Sequence, residues 1–227
     1  MTMMTGGQAA VEALKTEKVK HVFGLIGSAT MEIFDALYDA PEINFIGIHD
    51  ERTGTHMADG YARASGRTGV VLAGQNGPGA TNLVTGLAQA MAAFSPVVSI
   101  AGALSTAHLY RDAFQEVDQE ALFKPITKKT WTAPSADRIP EMFREAFRVA
   151  NAPRKGPVQL NLPRDVLSAQ ADYAPLQSVN EYRPCAAPAG EASAIAQAAT
   201  RLLSAKRPVI IAGGGIKTTE GHAAALA

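Results

Sequence analysis

The sequence predicts an α/β protein: a mostly parallel sheet covered by helices on both faces, followed by the opening of a second α/β domain. Three observations carry this. Short apolar runs alternate with helix-period segments at the spacing of successive strand–helix units. Runs such as "GVVLAG" (69–74) and "PVVSIAG" (96–102) are apolar on both faces, as a strand covered from both sides requires. The 227 residues are 47% hydrophobic and 19% charged, the composition of an ordinary globular core.

In chain order, Thr5 is placed to cap a helix running to about Glu17, and "HVFGLI" (21–26) reads as a strand ending in a glycine turn. Thr30 is placed to cap the helix "MEIFDALYDA", "INFIGI" is the next strand, and a helix is expected from about Glu51 to Ser65. "GVVLAG" runs into "QNGPG", then into a single small-residue helix, "ATNLVTGLAQAMAAF". After "PVVSIAG" comes an irregular stretch from about Ala103 to Asp118. "PITKKTWTA" reads as a short strand, Ser135 to Ala150 as a helix with Asp137 in its first turn, and "GPVQLNLP" as a further strand.

These elements make residues 1–167 one domain. From Pro163 to about Gly190, prolines at 163, 175, 184 and 188 and the absence of a sustained period read as a linker, assigned to 168–190. Residues 191–227 read as helix, strand, glycine turn and helix start, the incomplete beginning of a second domain. One strand–helix unit cannot bury a core of its own. The expectation is therefore that the chain is a fragment, or is completed by another chain.

With 21 basic and 21 acidic residues the formal net charge is zero, which argues against nucleic acid or an anionic membrane as partner and is compatible with an oligomer. A single cysteine, Cys185, rules out an intrachain disulfide framework. The N-terminus has helical spacing rather than a signal-peptide block. No run reaches the roughly 18 apolar residues of a membrane span. These observations point to a cytoplasmic protein.

Several segments carry residues suited to a site, each with a plainer alternative. In "GIHDERTGTHMADGYARASG" (47–66), Glu51 stands where a strand hands over to a helix, the place where open α/β sheets bind ligands. It is either a helix-start charge or a catalytic acid. "GLIGSAT" (24–30) puts Gly27 and Ser28 at a strand end. It is no P-loop, and on its residues alone a tight turn is the better reading. "GQNGPGATN" (74–82) contains Pro78, Gly79 and Asn82, either a strand-to-helix turn with proline near the first helical position or a place where backbone approaches a flat ligand. "DAFQEVDQE" (112–120) sets Phe114 and Gln115 in a long loop, either functional or a solvated acidic turn. His49 and His56 are seven apart, the wrong spacing for two zinc ligands on one helix face, so no metal site is assigned. "AGGGI" does not complete a dinucleotide fingerprint.

Four segments in order, "TGGQAAVEALKTEKVKHVFGLIGS", "HDERTGTHMADGYARASGRTGVVLAGQNGPGATNLVTGLAQA", "RDAFQEVDQ" and "GPVQLNLPRDV", resemble the thiamine-diphosphate enzymes of the acetolactate synthase superfamily over about residues 5–167, their N-terminal pyrimidine-binding domain. The resemblance implies that Glu51, eight positions before Asp59, is the activating glutamate. Its carboxyl bonds N1′ of the cofactor's aminopyrimidine and favours the imino form that deprotonates the thiazolium carbon, for which it must be buried. It implies further that Gly27, Pro78, Gly79 and Asn82 line the pyrimidine pocket, that Ser28 faces substrate, and that Phe114 and Gln115 belong to a loop closing over substrate. There Gln115 bonds the reacting group and Phe114 excludes water. The implied reaction is condensation of pyruvate or another 2-oxo acid. "GLIGSA" and "GQNGPG" depart toward sulfoacetaldehyde acetyltransferase, so that enzyme, a 2-oxo acid decarboxylase, or a non-catalytic dimerisation module stand as alternatives. Mg²⁺ and the diphosphate are implied to bind a domain that this chain lacks, and FAD is admitted in a complete enzyme. The implied partner is a second copy or a complementary diphosphate-binding chain, with the isolated chain inactive.

Overall fold

The computed structural model describes residues 2–183 and 189–216. The chain divides into two compact units, Met1–Tyr182 and Arg183–Ala227. The first is built on a six-stranded, wholly parallel sheet. Its strands are β2 (His21–Gly24), β3 (Asn44–Gly47), β4 (Gly69–Ala73), β5 (Val97–Ala103), β6 (Thr130–Thr132) and β7 (Val158–Pro163), in the order β3-β2-β4-β5-β7-β6.

Strand alternation explains the two covered faces. Val70, Leu72, Val98, Ile100, Leu160 and Leu162 point to one side, where α1 (Gly6–Thr16), α2 (Met31–Tyr38) and α7 (Ile139–Asn151) bury Leu14, Ile33, Phe143 and Phe147. Val71, Ala73, Val97 and Ala101 point to the other, against α3 (Glu51–Ser65), α5 (Val84–Ala92) and α6 (Gln119–Phe123) through Ala58, Leu87 and Phe123. The α/β architecture with both faces covered is thus present.

Helix α1 starts where Thr5 was expected to cap it, with a reciprocal capping box: the Gln8 N–H donates to Thr5 Oγ1 at 3.2 Å and the Thr5 N–H to Gln8 Oε1 at 2.9 Å. In the first unit four local expectations are corrected. The small-residue helix is two pieces, α4 (Pro78–Asn82) and α5, separated at the fully buried Leu83. Thr30 precedes α2 but does not cap it, because its hydroxyl donates to Ala73 O on β4. The helix expected from Ser135 opens as a 3-10 turn, Ala136–Arg138, and becomes α7 only at Ile139, with Pro140 in its first turn.

The fourth correction is in the segment that composition reads as linker. It begins with the short helix α8 (Arg164–Ser168) and β8 (Gln170–Tyr173), which pairs antiparallel with β1 (Thr2–Thr5) as a two-stranded ribbon. Tyr173 is buried and donates its hydroxyl to Ala136 O at 2.7 Å. The first compact unit therefore extends past residue 167, as far as Tyr182.

In the second unit, helix α9 spans Ala192–Ser204 and a 3-10 turn spans Gly214–Ile216. The strand expected at "PVIIAG" is not formed. Val209, Ile210 and Ile211 are 83%, 74% and 93% exposed, and among the described residues no strand pairs with the segment, as a strand's N–H and C=O groups require. Cys185 and the helix start expected at the C-terminal end lie outside the described residues.

Candidate functional site

All strands of the main sheet run the same way, so the segments following β2, β3, β4 and β5 emerge at one edge. The chain leaves β2 toward β3 on one side, and the return to β4 lands on β2's other side. That reversal is the topological switch point where α/β sheets hold ligands. Gly27 and Ser28 follow β2, Glu51 follows β3, Gln75 to Asn82 follow β4, and the loop 104–118 follows β5.

Glu51 is the first residue of α3, and it is 4% exposed. Its inward direction follows from helical spacing: Glu51, Thr55, Ala58, Asp59 and Ala62 share the buried stripe of α3. The helix-start role falls to another residue. Asp50 is the N-cap, its carboxylate accepting from the Arg52 N–H at 2.8 Å. Glu51 instead points across to α4, where Asn82 Nδ2 donates to its Oε2 at 3.1 Å. Its other oxygen, Oε1, has no hydrogen-bond partner among the described residues. A Cβ on Gly79 would lie 3.0 Å from that oxygen. The geometry is a shielded carboxyl with one oxygen held and one free beside a residue that lacks a side chain, a shape suited to the edge of a flat heterocycle bearing an N–H.

Gly27 is explained by packing. The turn after β2 lies so close to the turn after β4 that a Cβ at Gly27 would sit 2.3 Å from Gly74 O. Pro78 is exposed at the first position of α4, where its missing N–H costs nothing. Gly77 has φ 51°, and a Cβ there would be 2.6 Å from Gln115 O, so the turn requires glycine both for its backbone and for the approach of the loop after β5.

That loop carries three non-glycine residues in the left-handed region, Tyr110, Asp112 and Gln115. Such conformations persist where surrounding structure holds them. Here Glu116 accepts from the Tyr110 and Ala113 N–H groups, and Asn76 Nδ2 donates to Gln115 O at 3.0 Å. These backbone hydrogen bonds, the one from Tyr110 foremost, hold the Glu116 carboxyl below its ordinary range. At the loop's far end the buried Gln119 donates to Gly102 O and Asn161 Oδ1, tying the start of α6 to β5 and β7.

Gln115 therefore comes against the β4–α4 turn. Gln75 Nε2 donates to its Oε1 at 2.7 Å, and Ser28 Oγ donates to Gln75 Oε1 at 2.9 Å. Phe114, its neighbour, is 84% exposed. The structure thus brings Glu51, Gly79 and Asn82 into one group, and Ser28 and Gln115 into a second group beside it. Pro78 stands exposed between, and Phe114 joins neither. Sequence reasoning missed Gln75 and Asn76, the polar pair that links the loop to the strand end. The available signal was their place immediately before Gly77 and Pro78 at the end of an apolar strand.

His49 is exposed, and among the described residues no group of three or more His, Cys, Asp or Glu side chains is arranged to hold a metal ion. The acid of "ADGY", Asp59, is engaged by Arg63 and Gln89 inside the α3–α5 contact. Nor is any helix among the described residues long and apolar enough to cross a membrane.

Comparison with known proteins agrees with this architecture. The family model described as "Thiamine pyrophosphate enzyme, N-terminal TPP binding domain" matches residues 4–122. A probable acetolactate synthase large subunit of Methanocaldococcus jannaschii is 42% identical over 218 residues, which are 94% of this chain and 36% of the relative. A probable acetolactate synthase large subunit of Methanococcus aeolicus is 43% identical over the same shares of the two chains. The acetolactate synthase isozyme 3 large subunit of Escherichia coli is 37% identical over 226 residues, 98% of this chain and 39% of the relative. The chain spans little more than a third of the length of these relatives. On the family match and the relatives together, the chain belongs to the thiamine pyrophosphate enzymes, of which it contains the N-terminal, cofactor-binding domain.

Proposed function

We propose that this chain is the pyrimidine-binding half of an acetolactate synthase-like carboligase acting on pyruvate or another 2-oxo acid. The observation that carries the reading is the Glu51 carboxyl, 4% exposed and held by Asn82, with its second oxygen free beside Gly79. Identity of 36–43% to acetolactate synthase large subunits across nearly the whole chain supports the reaction class.

The residues fit the cofactor's aminopyrimidine. The free oxygen of Glu51 offers a partner for a ring nitrogen, and the missing side chain of Gly79 leaves room for a ring edge. When bound, thiamine diphosphate would supply the carbon nucleophile and the electron sink that decarboxylation of a 2-oxo acid requires. This chain's own residues do the rest. Glu51 shares a proton with N1′ of the pyrimidine. Asn82 fixes which carboxyl oxygen faces the ring, while Gly27, Pro78 and Gly79 form the walls. Ser28 and Gln115 present polar groups to substrate, and Phe114 covers it from the loop and excludes water. Mg²⁺ and the diphosphate belong to a complementary domain, supplied by a second subunit or chain. On its own this chain is inactive.

The test is reconstitution. The chain is mixed with a complementary diphosphate-binding chain, thiamine diphosphate and Mg²⁺, and pyruvate consumption is followed. Glu51→Gln keeps the shape but removes the acid, and it is expected to abolish turnover while leaving the far-UV spectrum and thermal midpoint unchanged. Turnover in that variant at the wild-type rate would refute the role given to Glu51.

A further inference from the structure

Two adjacent residues at the end of β4 grip one glutamine of the loop after β5. Asn76, 6% exposed, donates to the main-chain oxygen of Gln115, and Gln75 donates to its side-chain oxygen at 2.7 Å. Gln115 has φ 63°, an unfavourable conformation for a residue with a side chain, and of the two grips it is the Asn76 bond that reaches its backbone. Gln75 is itself oriented: its Oε1 accepts from Ser28 Oγ at 2.9 Å, which leaves its NH2 group for Gln115.

We propose that Gln75 is a positioning residue that sets which end of the Gln115 amide faces the crevice. The hydrogen bonds run in one direction, from the Ser28 hydroxyl to Gln75 and from Gln75 to Gln115. They engage the Gln115 oxygen and leave its NH2 group with no acceptor among the described residues. The crevice is thereby given a fixed pair of N–H donors. Their complement is an acceptor oxygen on substrate, and an ionised carboxylate is the strongest such acceptor. This contact with substrate rests on the function proposed above, whereas the grip of Gln75 on Gln115 does not.

The grip is tested on the chain alone, by side-chain amide NMR. Gln75→Met removes both hydrogen bonds at nearly constant volume. It is expected to move the Gln115 NH2 resonances to free-amide positions and to speed their exchange, with the backbone spectrum of the sheet unchanged. Gln115 resonances that do not respond to Gln75→Met overturn the proposal.

In the reconstituted enzyme, Gln75→Met is expected to raise KM for pyruvate roughly tenfold, the worth of one well-made hydrogen bond to a charged group, with affinity for thiamine diphosphate unchanged. Gln75→Glu keeps the shape but offers only acceptors. It forces the Gln115 amide to turn its NH2 inward, so KM is expected to rise at least as much as in Gln75→Met, although the pair remains hydrogen-bonded. A Gln75→Glu enzyme with wild-type KM overturns the proposal, because a merely structural role would tolerate that exchange. If wild-type chain shows no turnover of any 2-oxo acid, the proposed function fails, and the NMR result still decides the grip.

Discussion

Asp59→Asn tests whether the site's principal helix is held as described. Asp59 is 1% exposed on α3. Its Oδ1 accepts from Arg63 Nε at 2.9 Å, and its Oδ2 accepts from both Arg63 Nη2 at 2.6 Å and Gln89 Nε2 at 2.9 Å. Both oxygens are therefore pure acceptors, and asparagine must set an NH2 against a donor in either orientation. Arg63 is half-exposed and regains water, so its share is small. The loss of charge-assisted bonding, together with one donor left facing a donor in a buried contact, amounts to about 2–3 kcal/mol.

For a unit of this size that corresponds to a fall of roughly 4–12 °C in Tm. The pH dependence gives a second check. Burial pushes the Asp59 carboxyl up, but hydrogen bonds from Arg63 and Gln89 outweigh it and hold the group below its ordinary value. A carboxyl whose folded-state pKa is depressed contributes its full stability above the unfolded value, near 3.9, and loses it as pH falls through the folded value. Urea unfolding should therefore show a constant gap between wild type and Asp59→Asn from about pH 5 to about pH 8, narrowing below about pH 4. A gap under about 0.5 kcal/mol, the ordinary range for surface substitutions, or one that does not narrow in acid, would refute the reasoning.

Three further outcomes are expected. Gly77→Ala places a Cβ 2.6 Å from Gln115 O on a backbone at φ 51°. It should cost about 1–3 kcal/mol and speed amide hydrogen exchange across residues 104–118 without affecting β7. Phe114→Ala, at a position 84% exposed, should leave stability within about 0.5 kcal/mol and show itself in the reconstituted enzyme as a loss of activity. A clear drop in Tm would mean that Phe114 packs against the fold. Thr5→Ala removes the hydroxyl half of the α1 capping box and should lower stability by about 1 kcal/mol in denaturant titration.

What could be read directly from residue order was the part governed by near neighbours. The alternation of Val70, Val71, Leu72 and Ala73 between two cores and the cap at Thr5 are set by residues within a few positions of one another. Strand and helix periods express such spacing.

What failed locally depended on distant partners. Thr30 has the chemistry of a cap, but Ala73 O, on another strand, claims its hydroxyl. The proline-rich segment after residue 167 resembles a linker, yet β8 pairs with β1 at the far end of the chain. The run "PVIIAG" has a strand's composition, but among the described residues no strand pairs with it.

The site divides along the same line. Residue order by itself determined that an acid, a glycine–proline turn and a glutamine loop follow successive strands, and parallel pairing then brings them to one edge. Only the tertiary structure decided that Glu51 turns one oxygen to Asn82 and that Gln75 and Asn76 hold Gln115. Those hydrogen bonds join positions 31 to 40 residues apart, and no local period encodes which side chains meet where two turns converge.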